Sequence, residues 1–274
     1  MTLQPSGTAD LAAIKARQRH GWAAGDYSVP GACLVVVSEN LCEAVELRAN
    51  QKVLDVATGS GNTAIAAARR FCEVTGIDYT PSLLERAQER ASAERLPVTF
   101  LEADAENLPF PAASFDVVLS TLGVMFTPNQ EQAANELLRV CRPGGKIGLA
   151  SWSPGGLFGQ MGRVMATYVP PPAGLRPPAL WGTEERIQEL FGTEITSLQA
   201  TQRIFFHRYR SAQHAVEISC TYYGPVAMAI QALEPATRQC LYRDLQVVFE
   251  QANQSSDDTL VAPGEYLEVV AVRR

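Results

Sequence analysis

The sequence predicts an α/β fold built on a doubly wound, mostly parallel sheet. Five apolar stretches between residues 52 and 152 alternate with helical patterns, and strand–helix units repeated in this way form parallel sheets with right-handed crossovers. Two further strand-like stretches lie at residues 203–210 and 265–274. We expect these two stretches to complete a seven-stranded sheet with an antiparallel edge strand, while the segments between them form helical cap insertions.

The composition indicates a globular, soluble protein. The chain has 274 residues, of which 46% are hydrophobic and 19% charged, and its net charge is −6. An acidic chain without clustered Lys and Arg is not expected to bind nucleic acid, because the phosphate backbone is negatively charged. No apolar run approaches the about 18 residues of a membrane span, and the N-terminus lacks the apolar segment of a signal peptide. We therefore expect a cytoplasmic protein without a membrane span. The six cysteines have no zinc-ligand spacing, so reduced, mostly buried thiols are expected.

The chain before the first strand is predicted to be mainly helical. Residues 8–24 have the pattern of a helix with Thr8 as its N-cap. Two glycines and a proline in residues 25–31 predict a loop that carries Tyr27. Residues 33–48 then form a second helical approach to the first strand.

The stretch KVLDVATGSGNTA, residues 52–64, is a strand, a turn and a helix start. Gly59 and Gly61 allow a tight turn whose backbone N–H groups face the crevice where doubly wound folds bind ligands. Asp55 discriminates between ligands, because a carboxylate disfavours a pyrophosphate nearby and favours an ammonium or a sulfonium. The glycines alone also fit the dinucleotide pattern G-x-G-x-x-A, so this stretch by itself does not choose the ligand.

Acidic residues close the next two predicted strands. The strand at residues 73–79 has Asp78 near its end, where two carboxylate oxygens suit the two hydroxyls of a ribose. The strand at residues 98–104 ends in Asp104. Thr80 is expected to cap the helix between these strands. Three acids at the ends of three consecutive apolar strands predict ligand contact.

The last two strands of the parallel half are predicted at residues 115–120 and 146–152. Thr127 and Pro128 are expected to start the helix between them, and the Pro-Gly-Gly at residues 143–145 to end it. The following chain is rich in proline, glycine and aromatic residues, with helical patterns at 157–168 and 211–253. This concentration of aromatic residues suggests an apolar substrate cavity.

The sequence resembles the class I S-adenosylmethionine-dependent methyltransferases, in particular the ubiquinone and menaquinone ring methyltransferases. The resemblance covers residues 22–152 well and the remainder loosely. One departure is that the family's first glycine is Ala57 here, which trims the room beside the methionine end of the cofactor. The matching segments are VLDVATGSGN (53–62), VTGIDYTPSLLERAQERA (74–91), EADAENLPFPAASFDVVLS (102–120) and ELLRVCRPGGKI (136–147).

The resemblance implies one Rossmann-like methyltransferase domain over residues 1–274. Within it, residues 33–152 would form the cofactor-binding core and residues 1–32 an N-terminal lid. Residues 153–202 and 211–255 would be cap insertions on the substrate side. The implied cofactor is S-adenosylmethionine, with S-adenosylhomocysteine as product and no metal. The implied partner is a small aromatic or apolar methyl acceptor, and the oligomeric state, a homodimer included, stays open.

The resemblance also implies roles for individual residues. Asp55 would face the cofactor's ammonium, commonly through water, and Asp78 would take the ribose hydroxyls with Tyr79 packing on the adenine. Asp104 would accept a hydrogen bond from the adenine amine and the Ala105 N–H would donate to a ring nitrogen. The implied cofactor-binding residues are Tyr27, Asp55, Ala57, Thr58, Gly59, Gly61, Asp78, Tyr79, Asp104, Ala105 and Ser120, with Trp22 as a further residue that could close over the cofactor.

Methyl transfer from a sulfonium is an in-line displacement that needs alignment and exclusion of water rather than a nucleophilic side chain. A general base helps only if the acceptor carries a hydroxyl, a protonated amine or an acidic carbon. The candidate bases are His207, Tyr222 and Tyr223, although a structural role for His207 is favoured, and His20 and His214 are expected at the surface. The candidate substrate-pocket residues are Trp152, Phe158, Trp181 and Tyr222.

Three other functions compete with this interpretation. An NAD(P)-dependent oxidoreductase would explain the glycine turn and Asp78, but not Asp55 and Asp104. A non-catalytic cofactor-binding protein would lack a roomy cavity beside the methyl group. A nucleic-acid amino-methyltransferase would carry an N/D-P-P-Y motif after the fourth strand, where this chain reads STLGVM. Within the leading class, quinone-ring C-methylation is the narrower alternative.

Overall fold

The computed structural model describes residues 10–274, and one sheet organises them. Its seven strands lie in the order β3-β2-β1-β4-β5-β7-β6. Strands β1 to β5 pair in parallel, whereas β7 runs antiparallel to both β5 and β6. The strands are β1 (Lys52–Val56), β2 (Glu73–Asp78), β3 (Val98–Glu102), β4 (Phe115–Thr121), β5 (Cys141–Trp152), β6 (Ile195–Tyr209) and β7 (Leu260–Arg273).

The predicted seven-stranded, mostly parallel sheet is confirmed, with one refinement. The antiparallel strand is β7, which lies one position inside the edge, and β6 is the outermost strand. The burial of the two strands explains this order. Most side chains of β7 are buried between its neighbours, while many side chains of β6 are exposed, as suits an edge.

Eleven α-helices among the described residues flank the sheet and build the cap. Three short 3₁₀ helices, at Val124–Phe126, Pro178–Gly182 and Gly192–Glu194, lie in the connections. The helices are α1 (Leu11–Ala23), α2 (Ser28–Ala32), α3 (Val35–Ala44), α4 (Asn62–Ala68), α5 (Pro81–Ala93), α6 (Gln130–Val140), α7 (Leu157–Tyr168), α8 (Glu184–Phe191), α9 (Ala212–Tyr222), α10 (Gly224–Ala232) and α11 (Pro235–Ala252).

The capping residues of α1 and α6 are Asp10 and Asn129. Thr8, the predicted cap of the first helix, lies outside the described residues, and Asp10 caps α1 by accepting a hydrogen bond from Ala13 N at 3.0 Å. The predicted cap at Thr127 is wrong. The hydroxyl of Thr127 donates to Val124 O and closes the preceding 3₁₀ turn, while Asn129 caps α6 by accepting from Gln132 N at 3.1 Å.

Other boundaries also differ from the sequence prediction. The predicted loop at residues 25–31 contains α2, because the Asp26 carboxylate accepts from Ser28 N and starts a helical turn there. Strand β5 begins at Cys141 rather than at residue 146, and β6 and β7 begin earlier than residues 203 and 265. Each extension is held by pairing to a neighbouring strand, which the local pattern of apolar residues does not report.

Two clusters of buried apolar side chains form the interior. The larger one packs α3, α4 and α6 against the sheet, and the smaller one joins α7, α9, α10 and α11 to the start of β7. Phe158 packs against both clusters. Four of the six cysteines are buried, in agreement with the prediction of mostly buried thiols. Within residues 10–274, no helix is long and apolar enough to cross a membrane.

Candidate active site

The turn between β1 and α4 forms one wall of the site. Thr58 N donates to Ile77 O at 2.8 Å, and Gly59 N donates to Asp78 Oδ2 at 3.0 Å, so the turn is fastened to the end of β2. Gly59 has a φ of +55°. Arg90 of α5 stabilises the turn by donating hydrogen bonds to Ser60 O at 2.5 Å and to Asn62 Oδ1 at 2.7 Å.

Ala57, the predicted departure from the family pattern, has a φ of +54°. This left-handed conformation costs an alanine roughly 1–2 kcal/mol, which a glycine would not incur. Close packing surrounds the residue, because a Cβ added at Gly123 would lie 2.6 Å from Ala57 O and 2.7 Å from Ala57 Cβ. Gly123 therefore makes room for the Ala57 methyl group. The strained residue lines the cavity, where such strain is commonly found.

Asp55, at the end of β1, is buried and only half satisfied. Its Oδ2 accepts from Thr58 Oγ1 at 2.5 Å and from Ala64 N at 2.9 Å, whereas its Oδ1 has no hydrogen-bond partner. Burial raises the pKa of the Asp55 carboxyl to about 7, although the two hydrogen bonds oppose the rise. A buried carboxylate oxygen without a donor is a receptor for a cation or for a water that bridges to one.

Asp78 and Asp104 stand at the ends of the neighbouring strands. Asp78 is 5% exposed and accepts from Gly59 N and from Thr80 N at 2.9 Å, and burial raises the pKa of its carboxyl. Asp104 Oδ2 accepts from Lys15 Nζ of α1 at 2.5 Å. Strand β3 ends at Glu102, two residues before Asp104. All three acids nevertheless line one cavity, and their contact with a ligand stays a prediction.

This cavity, the cofactor cavity, has a volume of about 90 Å³. Of the eleven implied cofactor residues, nine line it: Tyr27, Asp55, Ala57, Thr58, Gly59, Asp78, Tyr79, Asp104 and Ala105. Trp22 lines it as well. Ser38, Thr63 and Thr121 also face it as a connected set of hydroxyls, because Thr63 Oγ1 lies 2.9 Å from Ser38 Oγ and 2.8 Å from Thr121 Oγ1.

Gly61 and Ser120 do not line the cavity, and contact of either residue with the cofactor stays a prediction. Gly61 has a φ of +86°, and a Cβ there would lie 3.0 Å from Ala87 Cβ, so its role is the close packing of α4 against α5. Ser120 is fully buried; its hydroxyl donates to Val56 O and accepts from Val124 N. Thr121, the next residue of β4, reaches the cavity instead.

Sequence reasoning missed the contacts that α1 and α5 make with the site. Lys15 pairs with both Asp104 and Glu106, at 2.5 and 2.6 Å, and Gln18 Nε2 donates to Phe126 O at 3.0 Å. Arg90 lies in an ordinary amphipathic helix. No local pattern marks these residues, because each acts on a partner far away in the chain.

A second and larger cavity, the acceptor cavity, has a volume of about 680 Å³. Trp152 and Phe158, two of the four predicted pocket residues, line it. Trp181 and Tyr222 do not line it, and a role for either residue in substrate binding stays a prediction. Trp181 is fully buried in the larger core, and the pocket wall is formed by Tyr223 rather than by Tyr222.

A small chamber of about 40 Å³ borders both cavities. It shares Tyr27, Leu34, Leu122 and Phe126 with the cofactor cavity. With the acceptor cavity it shares Phe126, Trp152, Phe158 and Tyr223. The two larger cavities also adjoin each other, because Gln18, Phe126, Thr127 and Pro128 line both.

His207 is the one histidine that lines the chamber among the described residues. It is 4% exposed, it packs 4.6 Å from the Phe205 ring and 5.1 Å from the Phe158 ring, and its Nε2 has no hydrogen-bond partner. Burial lowers the pKa of its imidazole to about 4. His207 is therefore a neutral hydrogen-bonding group at neutral pH. His20 is exposed, and the half-buried His214 lies outside the three cavities.

Comparisons with known proteins define the class. A family profile described as a methyltransferase domain matches residues 53–145. The solved structure of the YcgJ protein from Bacillus subtilis shares this fold, with a TM-score of 0.60 and 19% identity, over 87% of this chain and 98% of that chain. The chain thus belongs to the class I S-adenosylmethionine-dependent methyltransferases.

Two relatives place the chain more closely. It is 37% identical over 264 residues to an uncharacterised protein of Mycobacterium tuberculosis, across 95% of this chain and 96% of that protein. It is also 39% identical over 128 residues to the demethylmenaquinone methyltransferase of Deinococcus radiodurans, across 45% of this chain and 53% of that enzyme. The second likeness is thus confined to less than half of the present chain.

Proposed function

We propose that the protein transfers a methyl group to an O, N or C nucleophile of a small aromatic or apolar metabolite at the chamber that borders both cavities. The observation that carries this proposal is the position of Asp55. Asp55 lines the cofactor cavity, its Oδ1 is buried without a hydrogen-bond partner, and the cofactor cavity adjoins an aromatic-lined acceptor cavity and the chamber. A roomy acceptor cavity beside the cofactor cavity favours an enzyme over a non-catalytic binding protein.

The residues of the cofactor cavity fit S-adenosylmethionine. Asp55 would accept from its ammonium, directly or through water, and the hydroxyls of Thr63 and Thr121 would face its carboxylate. Asp78 would receive the ribose hydroxyls while it continues to hold the glycine turn. Tyr79 would pack on the adenine. A pyrophosphate would instead bring more negative charge next to the uncompensated Asp55 carboxylate, which counts against NAD(P).

The volume of the cofactor cavity supports a lid role for α1. Ligand pockets typically measure about 300–1,000 Å³, whereas this one measures about 90 Å³. Lys15, Gln18 and Trp22 of α1 all line it. An outward movement of α1 would enlarge the cavity, and the contacts of Lys15 with Asp104 and Glu106 would close it again over the bound cofactor.

When bound, the cofactor supplies a methyl group that its positive sulfur already activates for displacement. The protein's part is to align the acceptor and to exclude water. Trp22 lies edge-on to Tyr27, Phe126 and Tyr223 at ring distances of 5.6, 5.2 and 5.4 Å, so aromatic rings cluster where the two cavities adjoin. Their faces favour a nearby positive charge and keep bulk water out. His207 Nε2 would accept a hydrogen bond from an acidic acceptor group.

The similarity to a demethylmenaquinone methyltransferase suggests a carbon atom of a quinone ring as one methyl acceptor to test. The segment of similarity includes less than half of this chain, and most residues that line the acceptor cavity lie after residue 145, where the match to the methyltransferase-domain profile ends. Quinols therefore belong in a wider panel with phenols, carboxylic acids and amines.

Calorimetric titration with S-adenosylhomocysteine and with NAD(H) tests the cofactor assignment. We expect saturable binding of S-adenosylhomocysteine and none of NAD(H). Asp78→Ala should weaken the binding by about 1–3 kcal/mol through lost charge-assisted hydrogen bonds. Because Asp78 also holds Gly59 and Thr80, the thermal unfolding of each variant must be recorded alongside.

Glu102→Gln is the matched control, because this acid also ends a strand at the same edge but pairs with Arg19 outside the cavity. It should leave the dissociation constant unchanged. Saturable NAD(H) binding without S-adenosylhomocysteine binding would overturn the proposal, and an unchanged dissociation constant in a folded Asp78→Ala variant would refute the ribose assignment.

A further inference from the structure

The charge of the acceptor cavity is opposite to that of the whole protein. The chain has a net charge of −6. Three arginines nevertheless line this cavity, Arg17 from α1, Arg163 from α7 and Arg176 from the proline-rich segment, and no Asp or Glu does. The rest of the wall is mainly apolar, so the only formal charges that a ligand would meet in this cavity, among the described residues, are positive.

The three arginines differ in their partners. Arg176 Nε lies 3.4 Å from Glu131 Oε1, so a carboxylate already compensates its charge. Neither Arg17 nor Arg163 forms a salt bridge within residues 10–274, and Arg163 Nη1 donates to the backbone carbonyl of Pro154 at 2.7 Å. Two uncompensated guanidinium groups therefore remain at this cavity, and both side chains are solvent-exposed.

The part of the cavity wall that is shared with the chamber differs from the rest. It consists of Phe126, Trp152, Phe158 and Tyr223 and carries no charged residue. The three arginines line the cavity but not the chamber. Met125, Met161 and Met165 also line the cavity, and their flexible side chains adapt to an apolar ligand of variable shape. A ligand that matches this wall has a reactive apolar or aromatic end, an apolar body and an anionic group away from the reacting atom.

We propose that the methyl acceptor is an elongated amphipathic anion whose carboxylate or sulfate binds Arg17 and Arg163 while its other end enters the chamber. This inference rests on the proposed function, because it names the substrate class of that site. Planar guanidinium groups suit these anions, since they donate two parallel hydrogen bonds to two oxygens. An amine-tailed or uncharged acceptor would leave both arginines without an anionic partner.

The test is calorimetric binding of matched ten-carbon probes to the full-length protein saturated with S-adenosylhomocysteine. The probes are decanoate, decyl sulfate, decanol and decyltrimethylammonium, each below its micelle-forming concentration. Decanoate or decyl sulfate should bind about tenfold more tightly than decanol, as expected for charge-assisted bonds. Decyltrimethylammonium should bind more weakly than decanol. The comparison of the first two probes distinguishes a carboxylate from a sulfate preference.

The double variant Arg17→Gln and Arg163→Gln should lose most of the preference for the anions while its affinity for decanol stays within about twofold of the wild-type value. The charge-matched control is Arg208→Gln with Arg243→Gln, two arginines outside all three cavities. This control should retain the preference.

Equal affinity for decanoate, decyl sulfate and decanol, or an anion preference that survives in the Arg17 and Arg163 double variant, would overturn the inference. Failure of all four probes would overturn it as well. The proposed function fails on a different measurement, because it requires binding of S-adenosylhomocysteine, which occupies a separate cavity and is titrated first.

Discussion

At the scale of single residues, Asp55 is the most informative group in the molecule. Hydrogen bonds from Thr58 and Ala64 satisfy one of its oxygens, and the other is buried without a donor. Burial raises the pKa of this carboxyl to about 7, far above the value of an exposed aspartate. In the ligand-free protein the Asp55 carboxyl is therefore either an unfavourably buried negative charge or protonated, at the place where a cofactor ammonium is proposed to bind.

The first prediction concerns the pH dependence of cofactor binding. Below pH 7 the Asp55 carboxyl takes up a proton and no longer attracts an ammonium, so the dissociation constant for S-adenosylhomocysteine should rise by up to about tenfold per pH unit. Titration calorimetry between pH 5.5 and 8 measures this slope. Asp55→Asn should bind more weakly at pH 8 and show a flatter profile. A wild-type profile as flat as that of the variant would contradict the assignment.

The same pKa predicts the stability of the ligand-free protein. The folded-state pKa of Asp55 lies above its unfolded-state value near 4, so the folded form holds a proton that the unfolded form releases. The resulting stabilisation is complete below pH 4 and is lost as the pH rises through 7. Denaturant unfolding should therefore show the free energy of unfolding of the wild type falling, relative to Asp55→Asn, between pH 5 and pH 8.

At the scale of elements, α1 lines the cofactor cavity, and we propose that it acts as a strap across it. Lys15 bridges Asp104 and Glu106, which follow β3, and Gln18 reaches the 3₁₀ turn after β4. These contacts join the N-terminal helix to two strand ends. Helix α1 also buries Ile14 and Gly21 and packs Trp22 against aromatic rings. The partly exposed Lys15 ion pair to Asp104 contributes only about 1 kcal/mol or less to holding the helix in place.

Lys15→Gln should therefore accelerate both association and dissociation of S-adenosylhomocysteine, each by roughly fivefold. The reason is that the substitution lowers the free energy that holds α1 in its closed position by about 1 kcal/mol. Stopped-flow measurements of tryptophan fluorescence in a variant that retains only Trp22, which lines the cavity, would report both rates. Arg19→Gln is the matched control, since Arg19 lies on the same helix and pairs with Glu102 away from the cavity. Equal acceleration in both variants would show that general charge, not the strap, controls exchange.

At the scale of the whole molecule, two strands connect the cofactor half to the cap. Leu260 and Ala262 of β7 belong to the smaller core, while Val269 and Ala271 of the same strand belong to the larger one. Strand β6 pairs with β7 from Ile195 to Tyr209 along this whole length. Because the same hydrogen-bonded pair of strands crosses both cores, neither core can unfold without disturbing the other.

We accordingly predict one cooperative thermal transition, as a single domain over the chain requires. S-adenosylhomocysteine at about 100 times its dissociation constant should add roughly 2.7 kcal/mol to the free energy of unfolding and should shift the entire transition. Differential scanning calorimetry measures both. Two separate transitions, only one of which responds to the ligand, would show that the cap is an independent unit.

The sequence by itself determined the sheet and the three acids. Strand–helix alternation and apolar runs are local properties, and the carboxyl ends of parallel strands meet at one edge of a sheet, so Asp55, Asp78 and Asp104 were predictable together. The positive φ of Gly59 likewise follows from a local turn. The sequence also showed that Ala57 replaces a glycine of the family pattern, although it did not predict the positive φ of this alanine.

Only the tertiary structure decided which side chains share a cavity. Lys15 and Asp104 are 89 positions apart in the chain, and Arg90 lies 30 positions from Ser60. Trp181 and Tyr222 are aromatic residues of the kind that lines a substrate pocket, but both lie outside the acceptor cavity, whereas Tyr223 lines it. The physical reason is that the hydrophobicity of a side chain predicts only that it will be buried. How distant segments of the chain pack together determines whether that side chain lies in a core or lines an open cavity.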